Sequence, residues 1–284
     1  MSFNYLTNFQ TCYDFVNNVA PLSLVYYSHF ATAIVALMIG LLVLRHSNPP
    51  VIGRILFWLS ISFMLWVLTD LVTWVSYDST HYMIFWSLLG LLTALIYLSC
   101  IYFAYVFVNK KDAPFSLLFT LSLLIFPIII LTPTTFNLEG FLNVDCISIE
   151  GIYFTNYYYL LGVISFFWIL NLSAIGYRRE KSDSFKRQII LMTVGIESFI
   201  LIYLAATFLD SYLVNAGVTG DYLIGNYGLF GMLIFMGFLA YLIVQFRAFN
   251  IKLLAAQALV VGLVILIASQ FFFVRNPVNV VLTG

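Results

Sequence analysis

Apolar residues run through this chain in blocks of about twenty, separated by short polar gaps, with no alternation along the blocks. A helix of that length rises about 30 Å, the thickness of a bilayer's hydrocarbon core, so each block predicts a transmembrane helix. The blocks fall at Leu22–Leu44, Ile55–Tyr77, Tyr82–Val108, Phe115–Leu131, Thr155–Tyr177, Ile189–Val214, Leu223–Phe246 and Leu253–Val274, eight spans in all. Barrel strands would alternate over about ten residues; these runs are continuous, and a helix satisfies its own backbone in lipid. The predicted fold is an all-α, polytopic membrane helix bundle.

Composition narrows the function. Charged residues make up 8% of the 284, against roughly a quarter in ordinary soluble domains, while 63% are hydrophobic and 18% aromatic. One globule of this length cannot hide that much apolar surface, which excludes a soluble enzyme and a basic nucleic-acid binder. The twelve Lys and Arg then orient the bundle. Arg45 and Arg54 lie in the first gap, Lys110 and Lys111 in the third, Arg178, Arg179, Lys181, Lys186 and Arg187 in the fifth, and Arg247 and Lys252 in the seventh. The amino terminus and the even-numbered gaps hold none, and Arg275 follows span eight. Short loops rich in Lys and Arg stay cytoplasmic, so the amino terminus is expected outside. Residues 1–21 have no basic start and do not resemble a cleavable signal peptide, so span one is expected to remain as an anchor.

Searches for catalytic signatures are negative. The chain has no GxGxxG, P-loop, CxxC, HExxH or GxSxG motif. Of three histidines, His46 and His81 fall in gaps and only His29 in a span, so paired axial haem ligands are not available, and no cofactor or metal is expected. Lys252 lies past the cytoplasmic end of span seven, which excludes a retinal Schiff base in mid-membrane.

Ionisable residues inside the spans are the candidate functional groups, because each is costly in hydrocarbon and faces helices or water. His29 and Asp70 each lie seven residues from an outer span end, about 10 Å deep, and at that level they can meet. Trp66 and Trp74 flank Asp70 at four-residue spacing, so the carboxylate sits between indoles. It accepts a bond from His29, receives a cation, or stays protonated; the plainer alternative is an outer aromatic belt around a satisfied interhelical hydrogen bond. Tyr203, Thr207 and Asp210 share one stripe of span six in the same outer half. With Trp86, Tyr157, Tyr158, Tyr159, Asn226 and Tyr227 near other outer ends, they outline either a pocket open to the outside or more of the belt.

Glu197 lies about 20 Å below Asp210 and turned by about 220°, so it belongs to a different site. Asn171 stands at similar depth in span five, and a hydrogen bond between Asn171 and Glu197 is the simplest expectation, read either as a switch contact or as helix glue. Cys12 and Cys146 both fall on the oxidising side, where they form a disulfide or remain free thiols. Cys100, inside span three, reads as a packing residue.

Three stretches carry a family likeness. Gly237–Lys252 reads GFLAYLIVQFRAFNIK; the outer loop holds Asn143, Cys146, Glu150 and Gly151; and Phe185–Ile190 leads from a basic gap into span six. Together they resemble the amino-terminal seven-transmembrane sensor region of bacterial membrane histidine kinases, with Asn250 where Asp is commoner. The resemblance implies a seven-helix, receptor-like core over residues 22–252, an extracellular segment 1–21, and an additional helix with a truncated end over 253–284. It implies a sensor in the bacterial cytoplasmic membrane that passes a helix movement to a kinase. The chain itself has no phospho-accepting histidine box and no ATP-binding glycine boxes, so it is not expected to be an enzyme. The candidate partners are the lipid bilayer, a small-molecule ligand, a cytoplasmic kinase domain or other signalling partner, and a second copy in a homodimer; nucleic acid is not among them. A small secondary transporter or proton-coupled carrier using Asp70, Glu197 and Asp210 is the alternative, weakened by the lack of an internal repeat between spans one to four and five to eight.

Overall fold

A computed structural model describes residues 22–47, 50–76, 78–142, 147–218 and 224–246. The eighth expected span, Arg247, Lys252, Asn143, Cys12 and Cys146 lie outside these residues, and with them the disulfide pairing. The described chain is all-α apart from one hairpin: α1 (Leu22–His46), α2 (Pro50–Val75), α3 (Ser79–Asn109), α4 (Phe115–Leu131), β1 (Leu138–Leu142), β2 (Ile147–Glu150), α5 (Ile152–Arg179), α6 (Asp183–Asn215), the single turn α7 (Gly225–Gly228) and α8 (Phe230–Phe246).

Among the described residues, six helical segments are long and apolar enough to cross a membrane: those of α1, α2, α3, α5, α6 and the combined stretch Gly225–Leu242. The shorter α4 is the seventh apolar segment, with Pro127 inside it. Large apolar side chains including Trp58, Phe119, Leu123, Phe167, Leu201 and Phe208 stand exposed on the helices. Water does not tolerate such a surface, whereas acyl chains do. The protein is a polytopic helical membrane protein.

Polar caps carry two helices beyond their apolar runs. Asp78 accepts a hydrogen bond from the Thr80 amide at 2.7 Å and starts α3 three residues before Tyr82. Ser182 accepts one from the Phe185 amide at 3.4 Å, with Asp183 in the first turn, and starts α6 six residues before Ile189. The expected seventh span is not continuous. A three-residue turn bond from the Leu229 amide to the Asn226 carbonyl separates α7 from α8, and Gly225 and Gly228 pass close to α6 there.

The main helices close into a ring. Each neighbour pair along α1, α2, α3, α5, α6 and α8 packs together, and α8 returns to α1. Helix α4 sits outside this ring against α3 and α5, burying only Leu117, Leu121 and Ile128. The centre is aromatic. Phe63 meets Phe199 edge-on at 5.9 Å between ring centroids, Phe199 stacks on Phe235 at 6.4 Å, and Phe103 meets Phe235 at 6.1 Å, all four rings fully buried.

The outer loop named from the sequence contains an antiparallel hairpin, for which the sequence reading made no assignment. Leu138 pairs with Glu150, Phe141 with Ser148 and Leu142 with Ile147, with an irregularity between Leu138 and Gly140. Its anchor is side-chain packing on α3: Phe141 meets the Tyr82 ring at 5.4 Å, and Tyr82 stacks on Trp86 at 5.3 Å. Asn137 ties the approach to β1 down, donating to the carbonyls of Ser87 at 2.8 Å and Thr132 at 2.9 Å. At the hairpin's exit a side chain on Gly151 would collide with the Phe136 carbonyl, so only glycine fits.

Candidate functional site

The helix ends beside this hairpin line a half-open cavity of about 90 Å³. Helix α2 contributes Trp66, Asp70 and Trp74, and α3 contributes Trp86, Leu89, Gly90 and Thr93. Helix α5 supplies Phe154, Tyr158 and Tyr159, while Tyr203, Thr207, Asp210 and Ser211 come from α6. Asn137, Glu150 and Gly225 complete the wall. Four-residue spacing puts each helix's contribution on one stripe, since residues four apart are stacked on one face.

One side of the cavity rests on a buried ion-pair partner set. His29 is fully buried in α1, and its Nε2 lies 2.8 Å from Asp70 Oδ2. Its Nδ1 lies 2.6 Å from the Val25 carbonyl and 3.0 Å from Ser28 Oγ. A carbonyl only accepts, so Nδ1 carries a hydrogen, and the pair shares one further proton between Nε2 and Oδ2. Imidazolium with carboxylate, or imidazole with carboxylic acid, are both neutral as a unit. That neutrality makes burial affordable, because an unpaired charge would face a desolvation cost of several kcal/mol.

The floor is a hydrogen-bonded junction of three helices. Trp66 Nε1 donates to Thr93 Oγ1 at 2.9 Å, and Thr93 Oγ1 lies 3.1 Å from Tyr203 Oη. The Trp66 and Tyr203 rings meet edge-on at 5.3 Å. Tyr203 in turn contacts Phe199 at 5.9 Å, so the aromatic centre begins directly beneath.

The opposite wall is organised by two further carboxylates. Glu150 accepts from Trp86 Nε1 at 3.0 Å, from Thr155 Oγ1 at 2.9 Å and from Tyr158 Oη at 3.4 Å. Burial pushes its carboxyl above the ordinary carboxylate range, opposed by those three hydrogen bonds. Asp210 Oδ2 accepts from the Gly225 amide at 2.6 Å, joining α6 to α7, and a side chain on Gly225 would meet that oxygen at 2.8 Å. Tyr159 Oη donates to the Thr207 carbonyl at 3.0 Å and lies 2.9 Å from Ser211 Oγ.

Trp66, Asp70, Trp74, Tyr203, Thr207 and Asp210 thus stand around one space, with His29 behind Asp70. Trp86, Tyr158 and Tyr159 join them, whereas Tyr157 turns away and donates to the Leu124 carbonyl at 2.9 Å. Glu150, Thr93 and Asn137 are site residues that sequence reasoning missed. Glu150 had one usable signal, an acidic residue and a glycine immediately before an aromatic helix start. Nothing local marked Thr93 or Asn137, whose partners are 27 and 50 residues away.

No family model, curated protein or solved structure matches the chain. The site therefore has to be read from its own chemistry.

The expected Asn171–Glu197 contact is not formed. Asn171 is exposed on α5, while Glu197 is buried at 8% exposure with neither carboxylate oxygen hydrogen-bonded. Angular phase is the reason. The face of α5 that meets α6 carries Ser173, which accepts from Thr193 Oγ1 at 2.7 Å, and Asn171 is about 200° around the helix from Ser173. Glu197, one turn after Thr193, stays on the packed face, within electrostatic reach of the buried Cys100 thiol of α3. Equal depth alone does not bring two residues together. No group of three or more His, Cys, Asp or Glu suited to a metal ion occurs among the described residues.

Proposed function

We propose that this protein is a membrane signal-sensing module whose outer cavity receives a small-molecule ligand, and that it works as the sensor half of a histidine kinase does. In this reading α1–α6 and the α7–α8 segment form a seven-helix, receptor-like core with the amino terminus outside the bacterial cytoplasmic membrane, and an eighth span follows. The kinase domain or another signalling partner engages the basic cytoplasmic edge, either of a single chain or of a homodimer.

The observation that carries the proposal is a cavity closed at its base. Beneath the Trp66–Thr93–Tyr203 floor lie Phe63, Phe199 and Phe235, fully buried and ring against ring. Such a base suits a site that registers occupancy better than one that passes its contents through. The floor also bonds α2, α3 and α6 together, so a ligand that displaces Thr93 or Tyr203 changes how three helices pack.

A proton-coupled carrier is the second reading, favoured by the buried, unbonded carboxylate of Glu197. Its weakness is the aromatic layer separating Glu197 from Asp70 and Asp210. Two measurements on purified protein decide between the readings: thermal stability across a broad ligand screen, and solute and proton flux in proteoliposomes. The sensor reading expects a stabilising ligand whose effect is lost in Asp70→Asn, without flux. Flux that depends on Glu197 and Asp210 would overturn it.

A further inference from the structure

A second, larger cavity lies at the opposite end of the bundle, and we infer that it seats an anionic phospholipid, with the phosphate at Arg179 and the glycerol esters at Asn171. The site is independent of what the outer cavity receives. Its volume is about 450 Å³, and it lies between the last turns of α3, the first turns of α4 and the last turns of α5. Because α4 sits outside the helix ring, this space borders the bilayer and not the centre of the bundle. Gly176 closes its back: a side chain there would collide with Val108, so α5 rests directly on α3. The hydrogen bond that pins α5 to α4, Tyr157 to the Leu124 carbonyl, lies one turn past Thr120, on the outer side of the cavity.

The sign of the occupant follows from a group whose charge does not depend on burial. A guanidinium stays protonated in proteins, and Arg179 lines the cavity while no Asp or Glu does. Helical side chains lean toward their own amino terminus, so Arg179, at the end of α5, reaches back over the Gly176 turn. Around it, residues 110–111 and 178–187 carry seven Lys and Arg. The acids at this end are held by local partners: Asp112 by Tyr102 and the Ala113 amide, Glu180 by the amides of Lys181 and Ser182, and Asp183 by Lys186. A phosphate fits the fork of Arg179, and a zwitterionic headgroup would bring its own ammonium against the surrounding lysines.

Asn171 supplies the second contact. It lies eight residues before Arg179, about 12 Å further into the membrane, where its exposed carboxamide donates to no group among the described residues. Hydrocarbon leaves such a group unsatisfied, whereas the ester carbonyls below a lipid phosphate accept its hydrogens. Leu117, Leu172, Ile175 and Trp168 complete the wall with apolar surface for the first chain carbons. Volume separates a lipid from a soluble anion. At about 10–15 Å³ for each water-sized group, the cavity takes a phosphodiester, its glycerol and part of both chains together, while a single phosphate would leave most of it to water.

The test uses the full chain in detergent, with lipids retained counted by native mass spectrometry and stability followed by thermal unfolding. The probes are dioleoyl phosphatidylglycerol, dioleoyl phosphatidylcholine and glycerol 3-phosphate. One phosphatidylglycerol is expected to stay bound and raise the unfolding midpoint, ahead of phosphatidylcholine, with glycerol 3-phosphate inert. Arg179→Gln is expected to weaken phosphatidylglycerol binding about fivefold. Asn171→Leu should weaken both lipids by about threefold, since both carry the esters. Arg178→Gln removes the same charge from the same edge but outside the cavity lining, and is expected to cost about twofold or less. Each variant's midpoint without lipid separates lost binding from lost fold.

Equal retention of the two lipids, equal losses in Arg178→Gln and Arg179→Gln, or undiminished binding in a folded Arg179→Gln/Asn171→Leu double variant would each overturn the site. So would stabilisation by glycerol 3-phosphate equal to that by the lipid, which would make the cavity a soluble-anion site.

Discussion

Alanine at His29, at Asp70 and at both together dissects the buried pair that supports the cavity wall. Either single change breaks the 2.8 Å Nε2–Oδ2 contact. The group left behind does not have to keep a charge, since moving one proton neutralises it. The cost of Asp70→Ala is therefore that of an unsatisfied buried polar group, about 1–3 kcal/mol, and not the 3–5 kcal/mol of a stranded ion. His29→Ala adds the packing of a fully buried ring and should cost more. The double variant leaves no orphaned partner, so its cost should fall short of the sum. Couplings between polar groups on membrane helices average about 0.6 kcal/mol and reach about 1.7. Full burial of His29 and the short contact place this pair at the upper end, so a coupling of about 1–2 kcal/mol is expected. Reversible unfolding in mixed micelles with increasing dodecyl sulfate, followed by tryptophan fluorescence, measures all four corners of the cycle. Additivity within about 0.5 kcal/mol would refute the pairing and with it the support it gives the wall.

Gly151→Ala should open the hairpin, because the new methyl group collides with the Phe136 carbonyl while the Gly151 amide is held 2.8 Å from the Asn137 carbonyl. A cost of about 1–3 kcal/mol and faster limited proteolysis between residues 132 and 150 are expected; unchanged cleavage would mean that the hairpin absorbs the methyl group. Glu150→Gln should change the pH dependence of stability. The folded carboxyl titrates above its ordinary value of 4.5, so the unfolded chain releases its proton first as pH rises. Glu150 therefore costs stability above about pH 4.5, increasingly until the folded carboxyl has also ionised, and costs nothing below that range. The glutamine variant should gain on the parent over this interval, and a stability difference that is flat from pH 4 to 8 would contradict the assignment.

Much of the fold is written in one-dimensional pattern. The apolar runs locate seven helical segments because in lipid the length of an uninterrupted run is itself the structural constraint. Helix starts were less legible, since Asp78 and Ser182 recruit polar residues that hydropathy alone assigns to gaps. The hairpin was illegible in hydropathy, since one contact that seats it, Phe141 against Tyr82, joins parts of the chain far apart in sequence. In the site, depth counting and four-residue spacing put Asp70 with its tryptophans and Tyr203 with Thr207 and Asp210. The same counting failed for Asn171 and Glu197, where rotation about the helix axis, and not depth, decides contact. Glu150 escaped because a loop carboxylate becomes a wall residue only when the loop folds back over the helix ends.

Helix α4 has a bearing on the surrounding bilayer. Seventeen residues rise about 25 Å, several ångströms short of a typical hydrocarbon core, and Pro127 removes one of the helix's own amide donors. In the seven-span arrangement, hydrophobic mismatch falls mainly on this flank: neighbouring acyl chains must compress there, or the helix must stretch its outer end. Because α4 leans on α3 and α5, which both reach the cavity, acyl-chain length becomes a mechanical variable acting on the same helices that hold the ligand's walls.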